Sequence, residues 1–204
     1  QMPMHYSKKE LRIVSQSSAT GTQYLQAVGC ALSRKLEKNK EIVYVSSGEG
    51  TTSQGDFHEA LNWSSREKAP VIFHVQDNEY AISTHKSEQT AGSVFSLVSG
   101  YENLSRFQVD GTDFFETHLA FKQASERARK GKGPSVIVSN VVRLMPHSSS
   151  DDQRKYRSEE DLEKDLLRDP ILLFKNECIK NKIFSESETI VIDGKVKKQV
   201  SMDT

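Results

Sequence analysis

Between Val43 and Thr84 the pattern of apolar and polar positions changes period twice. The β-prone run Val43-Tyr44-Val45 stops at Gly48-Glu49-Gly50. Phe57, Ala60, Leu61 and Ser64 then fall on one face at helical spacing. After Pro70 a second apolar run, 71–75, stops at Asp77-Asn78. Strand, turn, helix and strand in that order predict a βαβ unit of a parallel sheet.

The flanking pattern extends this plan. Residues 1–15 read as a loop followed by a short strand over Leu11-Arg12-Ile13-Val14. The polar run 17–23 opens a helix, with Leu25, Val28, Leu32 and Leu36 on one face and an end near Asn39. Residues 83–101 read as a loop and a short helix, and 106–109 as a third parallel strand. Asp113 is placed to cap a helix from Phe114 to about Lys130, which Gly131-Lys132-Gly133-Pro134 breaks. The density of apolar residues over 135–142 predicts a buried strand. Ser158 and Asp169-Pro170 each start a helix. The β-prone run 189–192 sits in a tail read as helix, although Gly194 weakens it. The predicted fold class is α/β, a mostly parallel sheet with helices on both faces. Residues 1–168 form the α/β domain, and 169–204 a helical extension of it.

Composition narrows the function classes. The chain has 204 residues and a formal net charge of zero, which gives no footprint for nucleic acid. No apolar run approaches the roughly 18 residues of a membrane span. Cys30 and Cys178 lack metal or redox spacing and read as reduced thiols.

Candidate chemistry follows from the topology. In open α/β sheets, ligands sit beyond the carboxyl ends of the strands. Two neighbouring strands bring Glu49 and Asn78 to one edge. A carboxylate, an amide oxygen and a backbone carbonyl suit Mg²⁺, which takes few protein oxygens and completes its octahedron with water and phosphate. Gly48 and Gly50 allow close approach of backbone to ligand, and the following helix start favours an anion. A G-x-G alone is also compatible with a plain turn. A second stretch, Arg143-Leu144-Met145-Pro146-His147-Ser148, leaves a strand at the same edge and offers a histidine. His5 has no assigned role, and His58, His74 and His118 read as structural.

The whole pattern, Gly48-Glu49-Gly50 followed a helix and a strand later by Asn78, resembles the thiamine-diphosphate motif. Within that superfamily, G-E-G-T-T-S-Q-G-D with N-E-Y-A-I-S-T resembles the α subunit of 2-oxo acid dehydrogenases, nearest the branched-chain type. The resemblance implies thiamine diphosphate and Mg²⁺ as cofactors. It assigns Glu49, Asn78 and the Tyr80 carbonyl to magnesium. It assigns Ser18, Thr20, Gly48, Glu49, Gly50, Thr51, Asn78, Tyr80, Ile82, Arg143 and His147 to the cofactor, with His147 as the active-site histidine. A potassium ion would be held by Ser17, Ala19, Thr22 and Gln23. Ser148 and Ser158 match serines that are phosphorylated in mitochondrial relatives.

Three departures stand out. Ala19-Thr20 replaces a common Pro-Leu, Gln76 replaces an arginine in Arg-Asn-Asn-Gly-Tyr, and Pro146 replaces a residue that is often Gly or His. Family α subunits are much longer, so the chain reads as a fragment lacking the N-terminal part. The expected partners are a β subunit or fused β domain, a lipoyl-bearing acyltransferase core and a 2-oxo acid substrate. The expected location is the cytoplasm, or the mitochondrial matrix in a eukaryote, with the cytoplasm favoured. The alternatives are a pyruvate- or acetoin-specific relative and, from another class, a non-catalytic scaffold remnant.

Overall fold

A computed structural model describes residues 5–203. The loop expected over residues 1–4 lies outside them. In chain order the strands are β1 (Val43–Gly48), β2 (Val71–Asp77), the short β3 (Tyr80–Ala81) and β4 (Thr84–His85), β5 (Ser105–Asp110) and β6 (Ser135–Asn140). The helices are α1 (Gln23–Leu36), α2 (Gly55–Glu67), α3 (Lys86–Gln89), α4 (Val94–Leu97), α5 (Phe114–Arg129), α6 (Glu159–Leu166), α7 (Pro170–Lys180) and α8 (Glu186–Asp203).

Four strands form a parallel sheet in the order β1-β2-β6-β5, and β3 and β4 form a separate antiparallel hairpin. The register aligns the carboxyl ends. Gly48 pairs with Gln76, Asp77 with Asn140, and Asn140 also with Asp110. Strands β2 and β6 are central and buried on both faces, as their continuous apolar runs require.

Alternation along β2 splits the core in two. Phe73 and Val75 join Tyr24, Val28, Phe57 and Leu61 beneath α1 and α2. Ile72 joins Val109, Ala120, Ala124 and Ile137 beneath α5. The α2 face predicted from spacing is the buried one, with Phe57, Ala60, Leu61 and Ser64 fully inaccessible. Asp113 caps α5 by accepting from the Phe115 and Glu116 amides. Asp169 caps α7, whose first residue is Pro170.

Two expectations are corrected. Residues 11–14 form no strand of the sheet. They follow a 3₁₀ turn at Lys9–Leu11, with Arg12 left-handed at φ 56° and a lone bridge between Lys8 and Ile13. Leu11 and Val14 are exposed there, so no apolar burial rewards strand pairing. In α1 the buried stripe is Tyr24, Ala27, Val28 and Ala31, and Leu36 is 83 % exposed. The helix ends at Leu36 rather than near Asn39, because Lys38 turns left-handed and the Asn39 amide bonds back to the Arg34 carbonyl. Tyr24 wins the core position through its ring, which packs 4.9 Å from that of Phe57. Burial pushes its phenol up to about 12.

The turn into β6 fixes where that strand begins. Gly133 has φ +98°, and an added Cβ would lie 2.5 Å from the Asn103 carbonyl oxygen. Arg127 closes the same turn by donating to the Asn103 and Lys132 carbonyls at 2.8 and 2.6 Å. Gly133→Ala is expected to cost about 2 kcal/mol of stability, since the obstacle is backbone and the φ disfavours any side chain. Denaturant unfolding measures this, and an unchanged midpoint would refute the close contact.

Candidate functional site

Strand β1 delivers Glu49 into a 3₁₀ turn, Glu49–Ser53, that leads to α2. The Glu49 side chain is buried, with 2 % of the residue exposed. Its Oε2 accepts from the Asn78 amide at 3.2 Å, which joins the ends of β1 and β2. Its Oε1 is buried and has no hydrogen-bond partner. Burial raises the proton affinity of this carboxyl above its usual value. The turn amide of Glu49 itself and that of Asn78 oppose the shift. An orphaned, dehydrated carboxylate oxygen is costly unless a cation or proton meets it.

Asn78, the second candidate ligand, is adjacent. Asn78 Oδ1 accepts from the Tyr80 amide at 3.1 Å and keeps a second lone pair. Glu79 and Ile82 are both left-handed, at φ 70° and 57°, which folds β3 and β4 into a tight hairpin. The hairpin packs on the Glu49 turn. A Cβ on Gly50 would lie 2.5 Å from that of Ala81, and Gln89 Nε2 donates to the Gly50 carbonyl at 2.6 Å. Among the described residues no three His, Cys, Asp or Glu side chains form a metal cluster. The side-chain donors gathered here are instead one carboxylate and one amide oxygen, a sparse set that fits Mg²⁺ completed by water and phosphate.

Strand β6 lies beside β2, so the chain leaving it runs past Asn78. The Val141 amide donates to the Asp77 carbonyl at 2.9 Å. Arg143 reaches the hairpin, where Nη1 donates to the Ile82 carbonyl at 2.9 Å. Its Nη2 donates to the Tyr156 hydroxyl at 2.6 Å, and its Nε is buried without a partner. That hydroxyl donates to Asp151 Oδ2 at 2.7 Å, which also accepts the His147 amide at 2.8 Å. Both bonds, the Tyr156 one first, hold the Asp151 carboxyl below its usual range. His147 is exposed and anchored through its backbone. The Tyr80 ring lies under the guanidinium groups of Arg143 and Arg157, at 5.8 and 5.2 Å from its centroid.

Tyr156→Phe removes the hub of this chain and leaves the core alone. Trypsin cleavage at Arg154 and Lys155 is expected to rise by roughly an order of magnitude, with little change in global unfolding. Unchanged cleavage would mean the latch does not order the loop.

The segment 17–23 gathers neutral oxygens. Thr22 Oγ1 donates to the Ala19 carbonyl at 2.9 Å, and Ser17 Oγ accepts the Ala19 amide at 3.1 Å. Gln23 Oε1 accepts the Gly21 amide at 3.0 Å. Ser18 and Thr20 are exposed, and Ser18 bonds His5. Ser158 Oγ caps α6, and Ser148 Oγ contacts that of Ser150. His74 bonds Tyr44 and Ser139 inside the sheet, and burial lowers its pKa. An apolar cleft of about 500 Å³ between α5 and α7 holds none of the candidate residues.

The structure places Glu49, Asn78 and Tyr80 side by side, as the strand ends predict for Glu49 and Asn78. Sequence reasoning missed Asp77, Lys86, Gln89, Asp151 and Tyr156. Their side chains act across turns of irregular backbone, where no period exists to count. The density of ionisable residues in 151–157 was the available signal.

Over residues 1–204 the sequence matches the family described as "Dehydrogenase E1 component". It is 42 % identical to the 2-oxoisovalerate dehydrogenase subunit alpha of Bacillus subtilis, over 85 % of this chain and 53 % of that protein. Identity to the Pseudomonas aeruginosa subunit of the same name is 37 %, over 92 % and 46 %. The pyruvate dehydrogenase E1 component subunit alpha of Staphylococcus aureus is 39 % identical, over 76 % and 42 %. The chain thus spans about half the length of these relatives. The fold is similar to that of Campylobacter jejuni transketolase, with a TM-score of 0.55 at 18 % identity, over 62 % of this chain and 20 % of that one. With a parallel sheet that gathers Glu49, Asn78 and the Arg143–His147 loop at one edge, and a family match along its whole length, this chain belongs to the dehydrogenase E1 component family.

Proposed function

We propose that this chain is the cofactor-anchoring part of the decarboxylating component of a 2-oxo acid dehydrogenase complex. The observation that carries this is the buried, unpartnered Glu49 Oε1 beside Asn78. Glu49, Asn78 and the Tyr80 carbonyl would hold Mg²⁺. Gly48, Gly50 and Thr51 would line the diphosphate, with Ser18, Thr20 and Arg143 nearby and Ile82 toward the aminopyrimidine. Held there, thiamine diphosphate would supply the nucleophilic carbon and the electron sink that decarboxylation of a 2-oxo acid requires. His147 would stabilise charge or carry a proton while the acyl group passes to a lipoyl arm. The neutral oxygens of Ser17, Ala19, Thr22 and Gln23 would suit potassium.

The finer assignment is a branched-chain 2-oxo acid, supported by the two 2-oxoisovalerate relatives. Pyruvate is the second reading, favoured by the Staphylococcus relative. The partners would be a β subunit or fused β domain and the acyltransferase core. The test is calorimetric titration of thiamine diphosphate and Mg²⁺ into the chain assembled with its β partner. Magnesium-dependent binding that Glu49→Ala abolishes is the expected result, followed by a screen of 2-oxo acids. A folded assembly that binds nothing would leave the scaffold reading.

A further inference from the structure

Two carboxylates, those of Asp77 and Glu79, flank Asn78 in sequence beside the candidate cation site, and one lysine answers both. Asp77 ends β2 immediately before Asn78 and is buried. Its Oδ1 accepts the Glu79 amide at 3.0 Å, and its Oδ2 lies 3.3 Å from Lys86 Nζ. Glu79 Oε1 lies 3.0 Å from the same Nζ. The Lys86 amide also donates to the Glu79 carbonyl at 2.8 Å. Glu79 holds a left-handed φ of 70°, a conformation that these bonds fix. Both Asp77 and Lys86 are near enough to bias the proton affinity of Glu49, in opposite directions.

Cation preference depends on how many oxygens can enter the coordination sphere. Mg²⁺ demands a small octahedron, keeps water and tolerates few protein oxygens. Ca²⁺ takes six to eight oxygens, and mobile carboxylates serve it well. Asp77 and Glu79 flank Asn78 in sequence, so without a counter-charge either could turn toward a cation bound there.

We propose that Lys86 sets the cation preference of this site by holding the carboxylates of Asp77 and Glu79 away from a cation at Glu49 and Asn78. Lys86 is a positioning residue, and the inference rests on the cation reading given under Proposed function. It explains how a segment carrying two more acidic side chains than a magnesium site needs keeps a single carboxylate facing the cation.

The experiment titrates Mg²⁺, and separately Ca²⁺, into the chain assembled with its β partner at saturating thiamine diphosphate. Binding is followed by calorimetry, so no turnover is required. Lys86→Met is expected to raise Ca²⁺ affinity relative to Mg²⁺ by about tenfold, because carboxylate ligands are added. Lys86→Arg should keep the wild-type ratio, and adding Asp77→Asn to Lys86→Met should reverse most of the gain. Should Lys86→Met fail to fold, Lys86→Gln carries the same expectation. A ratio that stays constant, including equal weakening of both cations, overturns the inference and leaves Lys86 a structural tie. Wild-type binding that needs no divalent cation, or that Glu49→Ala leaves intact, overturns the site reading itself and this inference with it.

Discussion

Replacing Glu49 with glutamine is expected to raise the unfolding midpoint of the metal-free protein at neutral pH, while weakening magnesium-dependent thiamine diphosphate binding by at least about 100-fold. The two effects share one cause. Glu49 is 2 % exposed, and its Oε1 has no partner, so ionising it without a cation is unfavourable. Burial raises its pKa in the folded state above the ordinary 4.5. The folded protein therefore binds this proton more tightly than the unfolded one. That contribution is fully present below the unfolded pKa and is lost as pH rises through the folded value. The midpoint gained by Glu49→Gln should accordingly be largest above the folded pKa and vanish in acid. Glutamine keeps an oxygen for the Asn78 amide but brings no charge to a cation. A domain of this size shifts by about 2–4 °C per kcal/mol, so calorimetric melts at pH 4 and pH 8 resolve the effect. A midpoint lowered at pH 8 would mean that Glu49 is already compensated in the metal-free protein.

Gly50→Ala is expected to lose most cofactor binding and lower the unfolding midpoint by several degrees. The new methyl would sit 2.5 Å from the Ala81 Cβ, inside van der Waals contact, and 3.4 Å from the Ala81 Cα. Neither neighbour can rotate away, because one is a methyl on a two-residue strand and the other is backbone. The turn and the hairpin must separate, which pulls Asn78 and Tyr80 from Glu49. Overpacking of this kind costs about 1–3 kcal/mol, and a comparable misplacement of ligands costs about 100-fold in function. Ala81→Gly removes the colliding methyl, so the double variant should recover binding that Gly50→Ala loses. Calorimetry on the two single variants and the double decides it. Wild-type binding by Gly50→Ala would show that turn and hairpin are not in register for ligand.

The legible parts of the molecule are those with a period or a cap. The β1-α2-β2 unit declares itself because Val43-Tyr44-Val45, the Phe57–Leu61 stripe and the run from Val71 switch from strand to helix spacing and back. Asp113 was readable as a cap, and Ser158 and Asp169-Pro170 as helix starts, because short acceptors and an N1 proline are favoured at helix N-termini. Leu11 to Val14 misled because β-propensity describes fitness for a half-buried pleat, and no neighbouring strand covers these residues. Leu36 misled for a related reason, since helical spacing counts apolar positions without knowing which neighbour is present. Tyr24, carrying a hydroxyl, took the buried place because its ring meets Phe57 and Phe73.

The sequence alone indicated that Glu49 and Asn78 lie at the ends of consecutive parallel strands, because a strand–helix–strand pattern returns the second strand parallel to the first and both finish on one sheet edge. It also determined the family, through the triplet, the later asparagine and the loop around His147. Only the tertiary structure decided that β6 inserts between β2 and β5, which brings Arg143 to the Ile82 carbonyl. It alone showed that Lys86 spans Asp77 and Glu79 and that Glu49 keeps one oxygen without a partner. Strand order and side-chain pairing across turns depend on contacts between distant segments, and local spacing carries no record of them.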